Sequence, residues 1–380
     1  MHLSKLALVF QAAHCIKFSF EKHLEEETID LTGRGITSLN ENIKDCKKLK
    51  TLILCANALK ELPKGMGQLE NLEDLDLTKN CFEKFPTEIC DCKNLASLNL
   101  SCNQLKRLPE RIGELKNLEI LAISSNSLEL LPDELCDCTK LRTLLLYNNY
   151  LSSVPEGIEK LKNLEDIRLS HNEFQTFPTQ VCDCTNLKIL NFFYNSLTLL
   201  PDEIGKLNHL IELNLEGNNI ETIPEAIKQL KALKKLNFAN NNLINLPTFL
   251  FELIGLEDLN LESNYLKICP DEVGKLKSIK SLSLGFNKIR VLPSSIGELP
   301  KLIYLNLCYN QLKDLPISMS MSNLVNLKIS LLQKREFLPF AAIFLHGNSI
   351  SESGVENETL GKKEIIKLFG DLTDLKDQEE

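Results

Sequence analysis

The chain has 380 residues, 43% hydrophobic and 25% charged, so it can bury a large core, which excludes disorder as its main state. Its formal net charge is −9, from 43 basic and 52 acidic residues, leaving no overall basic field for nucleic acid or an anionic membrane. No apolar run approaches the roughly 20 residues of a membrane helix, and with Trp absent and aromatics at 6% the core must be aliphatic.

The N-terminus reads MHLSKLALVFQAAHC. Gln11 breaks the apolar patch Leu6 to Phe10 after five residues, short of the roughly 7–15 of a secretory signal. Leu3, Leu6, Ala7 and Phe10 fall at helical spacing, so residues 1–25 are expected to form an N-terminal cap. The 13 cysteines are odd in number and do not cluster at the ends as stapled caps would. They read as free buried thiols in a reducing compartment, and the expected location is cytoplasmic.

From residue 26 to about 350 the chain is a repeat. Asparagine recurs at Asn57, Asn80, Asn103 and onward to Asn310, twelve times at a step of 23 residues. Proline keeps the same step from Pro63 to Pro316. Aliphatic residues stand eight, five and three positions before each Asn and two after it, and a degenerate unit with Arg34 at the Asn position precedes the series. A trio such as Leu52-Ile53-Leu54 alternates and predicts a short strand. Alone it buries too little; stacked, the strands pair in parallel and their leucines form a continuous core. The Asn stands where the chain leaves the strand, placed to bond the backbone groups of the turn. Proline then sets φ for a helical or 3₁₀ turn carrying residues such as Ile112, Leu115 and Leu118. Strands pack about 4.8 Å apart and the outer elements need more room, so the stack must curve with the strands inside.

This pattern, in the form LPERIGELKNLEILAISSNSL, resembles the leucine-rich repeat proteins, an α/β solenoid or horseshoe, and among them the intracellular 23-residue class. That class includes Ras-pathway leucine-rich scaffolds, the Ras suppressor protein, plant intracellular Ras-group proteins and the repeats of fungal adenylate cyclase. The resemblance implies a signalling scaffold with a Ras-family GTPase or a phosphatase as partner. Cys15 to Phe20 also resembles the short phosphatase-docking motif of such scaffolds, without its basic-then-valine order.

A second period overlies the first. Cys46, Cys92, Cys138 and Cys184 lie two units apart, the last three within Cys-Asp-Cys triplets, while intervening units carry Gly67-Gln68-Leu69 or Gly113-Glu114-Leu115. The alignment puts Cys92 at a core leucine and Cys90 at a small glycine, which favours apolar packing over zinc; no metal is expected. Asn348 follows Asn310 by 38 residues. Removing thirteen, 329–341, restores the leucine spacing in a 25-residue unit, and this interruption reads as an inserted loop or as sequence left by incomplete splicing. Residues 351–380 read as a capping helix, striped by Ile365, Leu368 and Phe369, and an acidic tail.

No phosphate loop, dinucleotide fingerprint, zinc-protease pair or nucleophile elbow is present, so an enzyme, a cofactor and a small-molecule substrate are not expected. Function then falls to the exposed strand positions six, four, two and one before each Asn. In the middle of the chain these include Ile120, Ala122, Leu145, Tyr147, Arg168, His171, Ile189, Phe193 and Tyr194. Acidic groups flank them, Asp74, Asp76 and Asp166 on one side and Glu212, Glu216, Asp258 and Glu262 on the other, with a second aromatic set at Phe286, Tyr304 and Tyr309. Aromatics and Arg dominate binding energy at interfaces, so the expectation is a non-catalytic scaffold holding a folded protein on the concave sheet, with hot spots at Tyr147, Arg168, Phe193 and Tyr194. Two rivals stand: a recognition or regulatory subunit of a larger complex such as a ubiquitin ligase or deadenylase, and a regulatory fragment of an enzyme without its catalytic domain.

Overall fold

The computed structural model describes residues 16–320, 328–329, 342–345, 348–349 and 359–360. The chain divides into two compact units, Met1–Glu173 and Phe174–Glu380. The expected helical stripe at Leu3 to Phe10, residues 330–341 of the interruption and the stripe at Ile365 to Phe369 lie outside the described residues.

In the N-terminal unit the strands are β1 (Lys17–Phe18), β2 (Thr28–Asp30), β3 (Ser38–Leu39), β4 (Thr51–Ile53), β5 (Asp74–Asp76), β6 (Ser97–Asn99), β7 (Ile120–Ala122), β8 (Thr143–Leu145) and β9 (Asp166–Arg168). β2 and β4 to β9 pair in chain order, all parallel, each residue opposite the one 23 positions on. The middle residue of each three-residue strand, such as Leu52, Leu98 or Ile167, is buried, and the two flanking it are directed to the opposite, open face. A period of two in a three-residue strand permits nothing else once one face is the core. Outside this sheet β1 pairs in parallel with β3, Phe20 is fully buried, and Asn42 ties the segment down by accepting the Phe20 N–H and donating to Ser19.

The repeats close through 3₁₀ turns, five residues long with proline at the N-terminal boundary from Lys64–Gln68 onward, as at Glu110–Glu114, while Asn40 bounds the first turn, Glu41–Asp45, and the last described turn, Ile317–Ser320, has four residues. Pro109 has φ −77° and ψ 152°, extended backbone that proline favours, and its missing N–H costs nothing there. The turn ends when the Leu115 N–H reaches the Ile112 carbonyl, and Ile112, Leu115 and Leu118 all point into the core.

The two-unit alternation has a steric cause. A Cβ on Gly113 would stand 2.5 Å from the Glu134 carbonyl oxygen, and one on Gly67 would stand 2.9 Å from the Asp91 Cβ. These glycines let the next turn, which carries Cys136 or Cys90, close over them. Gly113→Ala should therefore cost about 1–3 kcal/mol as overpacking, read by urea denaturation. Gly157→Ala, whose methyl meets nothing nearer than 3.4 Å, at the end of the Lys160 side chain, should be close to neutral. Exposed ion pairs join neighbouring turns: Arg111 binds Asp91 and Glu114, and hydrogen bonds from Arg111 and then Lys93 hold the Glu114 carboxyl down at about 2.

The C-terminal unit repeats the scheme with β10 (Ile189–Asn191), β11 (Glu212–Asn214), β12 (Lys235–Asn237), β13 (Asp258–Asn260), β14 (Ser281–Ser283) and β15 (Tyr304–Asn306), again parallel in chain order. Phe174, Phe177 and Phe192 form an aromatic knot in its core, with Phe192 5.3 Å from Phe174 and 5.0 Å from Phe177 between ring centroids. Then follow β16 (Leu315–Pro316), β17 (Lys328–Ile329), β18 (Ala342–Phe344) and β19 (Thr359–Leu360). The strand next to β15 is β18, and Lys328–Ile329, at the head of the interruption, pairs in parallel on its far side. β19 runs antiparallel against β16.

Candidate functional site

Apart from half-buried Asn195, the recurring asparagines are buried, and their amides are engaged with backbone groups. Asn126 Oδ1 accepts the Leu105 N–H at 2.9 Å, while its Nδ2 lies 3.0 Å from the Leu100 carbonyl, 3.2 Å from that of Ile123 and 3.3 Å from that of Ser124. The Leu100 carbonyl also takes the Asn103 amide, so both its lone pairs are used. The scheme recurs along both units, for example at Asn80 and Asn264. Asn348 joins it over a longer chain: its partners Leu312 and Leu307 lie 36 and 41 residues away, where Asn310 spans 21 and 26 to Ile289 and Leu284.

To turn this amide inward, the residue before each Asn adopts a left-handed conformation, with φ from 50° to 58° at eleven non-glycine residues and 69° at Gly217. These include His171, Tyr194, Phe286 and Tyr309, side chains that rarely adopt this region. Sequence reasoning missed this constraint because the column is not glycine-rich. It also missed the work of the column four before the Asn. The side-chain oxygens of Asn99, Asn191 and Asn214 accept the N–H two residues on, so this column serves the backbone of its own repeat.

On the open face of the N-terminal unit, Ile120 is 43% and Tyr147 40% exposed, His171 is exposed, and Leu145 is half-buried. Ala122, expected on that surface, is instead 5% exposed, too short to emerge between its neighbours' side chains. Arg168 lies back on its own strand: its guanidinium grips Asp166, Nη2 to Oδ2 at 2.9 Å and Nε to both oxygens at 3.1 Å. Part of its donor capacity is thus spent before any partner arrives.

In the C-terminal unit, Tyr194 is 50% exposed and stacks edge-on against half-buried Phe193, 4.4 Å between centroids, with Ile189 half-buried beside them in sequence. The Tyr194 ring lies against Gly217, where an added Cβ would come within 3.1 Å of it. Phe286 is 46% exposed and stacks on half-buried Tyr309 at 4.4 Å and 22°, while Tyr304 is half-buried on β15. The acidic residues are tied together: Glu216 accepts from Asn237 and Asn240, Glu262 from Ser283 and Asn306, and Glu212 pairs with Lys235. Neutral amides leave the charges in place, so the outward positions of β11 to β13 and the Glu216 and Glu262 that follow them carry four carboxylates, Glu212, Glu216, Asp258 and Glu262, against one ammonium, Lys235.

Chemistry is not visible here. Among the described residues no group of three or more His, Cys, Asp or Glu could hold a metal ion. All twelve described cysteines are free thiols. Burial pushes Cys90 and Cys136 up to about 11 and Cys92, Cys138, Cys182 and Cys269 up to about 12, which makes them inert packing groups. No helix among the described residues is long and apolar enough to cross a membrane.

Family models agree with this geometry. A leucine-rich repeat region matches residues 88–196 and a leucine-rich repeat matches 47–105 and 185–243. No curated protein sequence matches. Among solved structures, a leucine-rich repeat protein of Leptospira interrogans is 34% identical over 88% of this chain and 80% of its own, with a TM-score of 0.80. The plant peptide hormone receptor RGFR1, solved in complex with RGF2, is 27% identical over 76% of this chain and 58% of its own (TM-score 0.61). An internalin of Listeria monocytogenes, 22% identical over 77% of this chain and 84% of its own (TM-score 0.69), shares the fold. With the 23-residue register, the buried asparagines and these likenesses together, the chain belongs to the leucine-rich repeat proteins.

Proposed function

We propose that the chain is a non-catalytic scaffold that binds a folded protein on its exposed sheet face. The observation that carries this reading is that each unit holds large apolar side chains 40–50% exposed on its sheet face where the repeat does not call for an apolar residue, Ile120 and Tyr147 in one and Tyr194 and Phe286 in the other. Large apolar side chains exposed on an outer face mark an interface, and the leucine-rich repeat fold itself suggests a protein-interaction scaffold. The carboxylates of β11 to β13 and the segments after them favour a partner with basic rims and association that weakens with salt. A Ras-family GTPase or a phosphatase is the partner class drawn from the sequence resemblance, and the free thiols support a cytoplasmic setting.

The test is affinity purification from cell extract with the wild-type chain and with Tyr147→Ala plus Phe193→Ala, each recovered protein quantified. At least a tenfold loss of one partner, with an unchanged melting curve, is the expected result. Equal recovery by both chains would reject this face as the interface.

A further inference from the structure

A different surface of the C-terminal unit is basic and apolar together, which the chain's net charge of −9 does not lead one to expect. It lies where the repeats after Asn264, Asn287 and Asn310 leave their strands. Ile268 and Val291, each four residues past its asparagine, are 65% and 67% exposed. Tyr265 is 47% exposed and carries the Lys288 ammonium 4.8 Å from its ring centroid. One position before Ile268 and Val291 stand Lys267 and Arg290, continued by Lys313 in the next repeat, all exposed. Arg290 donates to Gln311 at 3.1 Å, and among the described residues none of Lys267, Lys288, Arg290 and Lys313 forms an ion pair.

The same column elsewhere shows that this is not a requirement of the fold. In the N-terminal unit it reads Lys60, Glu83, Lys106, Glu129 and Ser152, the charges alternating in sign from one repeat to the next. In the C-terminal unit three cations follow one another at the spacing of one repeat. Like charges stacked from one repeat to the next repel, and stability given up at a surface is a common mark of function. Of the bordering carboxylates, Glu262 is turned to Ser283 and Asn306, and the one charge that acts on Asp314 is that of Lys313, so among the described residues Lys267, Lys288 and Arg290 are left without an ion pair.

We propose that this edge docks an acidic amphipathic helix of a partner protein. The charge complementarity is direct: four unpaired cations call for carboxylates, and Ile268 and Val291 call for an aliphatic stripe beside them. The spacing selects a helix over an extended strand. The strands pair at about 4.8 Å and these columns stand just beyond them, where the stack begins to widen, so they recur close to the rise of one helical turn, about 5.4 Å. Same-face residues of an extended segment recur at about 6.6–6.8 Å and drift out of step by the third repeat.

The probe is a fluorescein-labelled synthetic peptide of sixteen residues, with leucines at helical i, i+3, i+4, i+7 spacing and glutamates on the adjoining stripe. Its polarisation is titrated with the whole chain at low and at physiological salt. The expected result is saturable binding, at least tenfold tighter than for a scrambled peptide of equal composition or an alternating Glu-Leu peptide. Lys288→Glu plus Arg290→Glu should abolish it, and Val291→Asn should weaken it several-fold. Lys60→Glu plus Lys106→Glu, in the alternating column, should leave it unchanged. Arg290→Gln gives an independent reading: it should bind the probe more weakly while melting no lower than the wild type. Equal binding of the scrambled peptide, tighter binding of the alternating one, or indifference to the Lys288 and Arg290 substitutions would overturn the proposal. So would binding that emerges only after removal of residues 361–380, since the chain's own acidic tail would then be the occupant.

Discussion

Asn126→Ala should lower stability by about 3–5 kcal/mol, more than most single substitutions. The side chain accepts one buried N–H and donates to three carbonyls, and alanine leaves the Leu105 N–H with nothing to bond. Asn126→Asp separates the two halves of the amide. Its first oxygen can still accept from Leu105, but the second would face the Leu100, Ile123 and Ser124 carbonyls that now receive two hydrogens. A carboxylate there is buried among acceptors, so its pKa in the folded chain must rise above the unfolded value. A raised carboxyl pKa makes the folded state the better proton binder, so the penalty is smallest in acid and grows as pH rises past the unfolded carboxyl range. Urea titrations of both variants against wild type at pH 4.5 and 7.5 check this. The aspartate variant should be the worse at pH 7.5 and recover toward or beyond alanine at pH 4.5; a gap that does not move with pH would contradict the assigned roles of oxygen and nitrogen.

Phe192→Ala should cost about 3–5 kcal/mol, through lost burial and the cavity left between Phe174 and Phe177. Most repeats carry leucine at this position, three before the asparagine, so Phe192→Leu brings in the commoner residue. It should nevertheless destabilise by about 0.5–1.5 kcal/mol, because Phe174 and Phe177 are shaped to a ring. Contacts in a solenoid reach only adjacent repeats, so hydrogen exchange should show the loss concentrated around residues 174–215. Uniform loss across the C-terminal unit would indicate that the unit melts as one block.

The fold was open to reading from the sequence because each recurring residue has one physical task. Leucines at minus five and minus three had to face inward, proline had to stand where no N–H is needed, and a buried asparagine had to serve the turn; all are found so. The open face was less legible. Exposure of Ile120 and Tyr147 follows from strand alternation, but the grip of Arg168 on Asp166 and the tethering of Glu262 by Ser283 and Asn306 depend on side-chain torsions that no spacing reveals. The left-handed residue before each asparagine escaped notice for another reason. The amide bonds on either side hold that conformation, so the column tolerates Cys102, His171 or Tyr194 and shows no glycine signature. The close approach at Gly113 was hidden likewise, since a small residue on a turn announces neither the direction nor the distance of its neighbour.

The bond scheme at Asn348 shows what this architecture keeps constant. Its two interstrand bonds close over 36 and 41 residues of chain and still fall at 3.0 and 2.8 Å, matching neighbours that close over 21 and 26. The lattice therefore counts asparagines, not residues. The chain can run longer between one such marker and the next without any bond in the ladder registering the change. That constancy follows from an amide that recognises its backbone partners and is blind to the distance travelled between them.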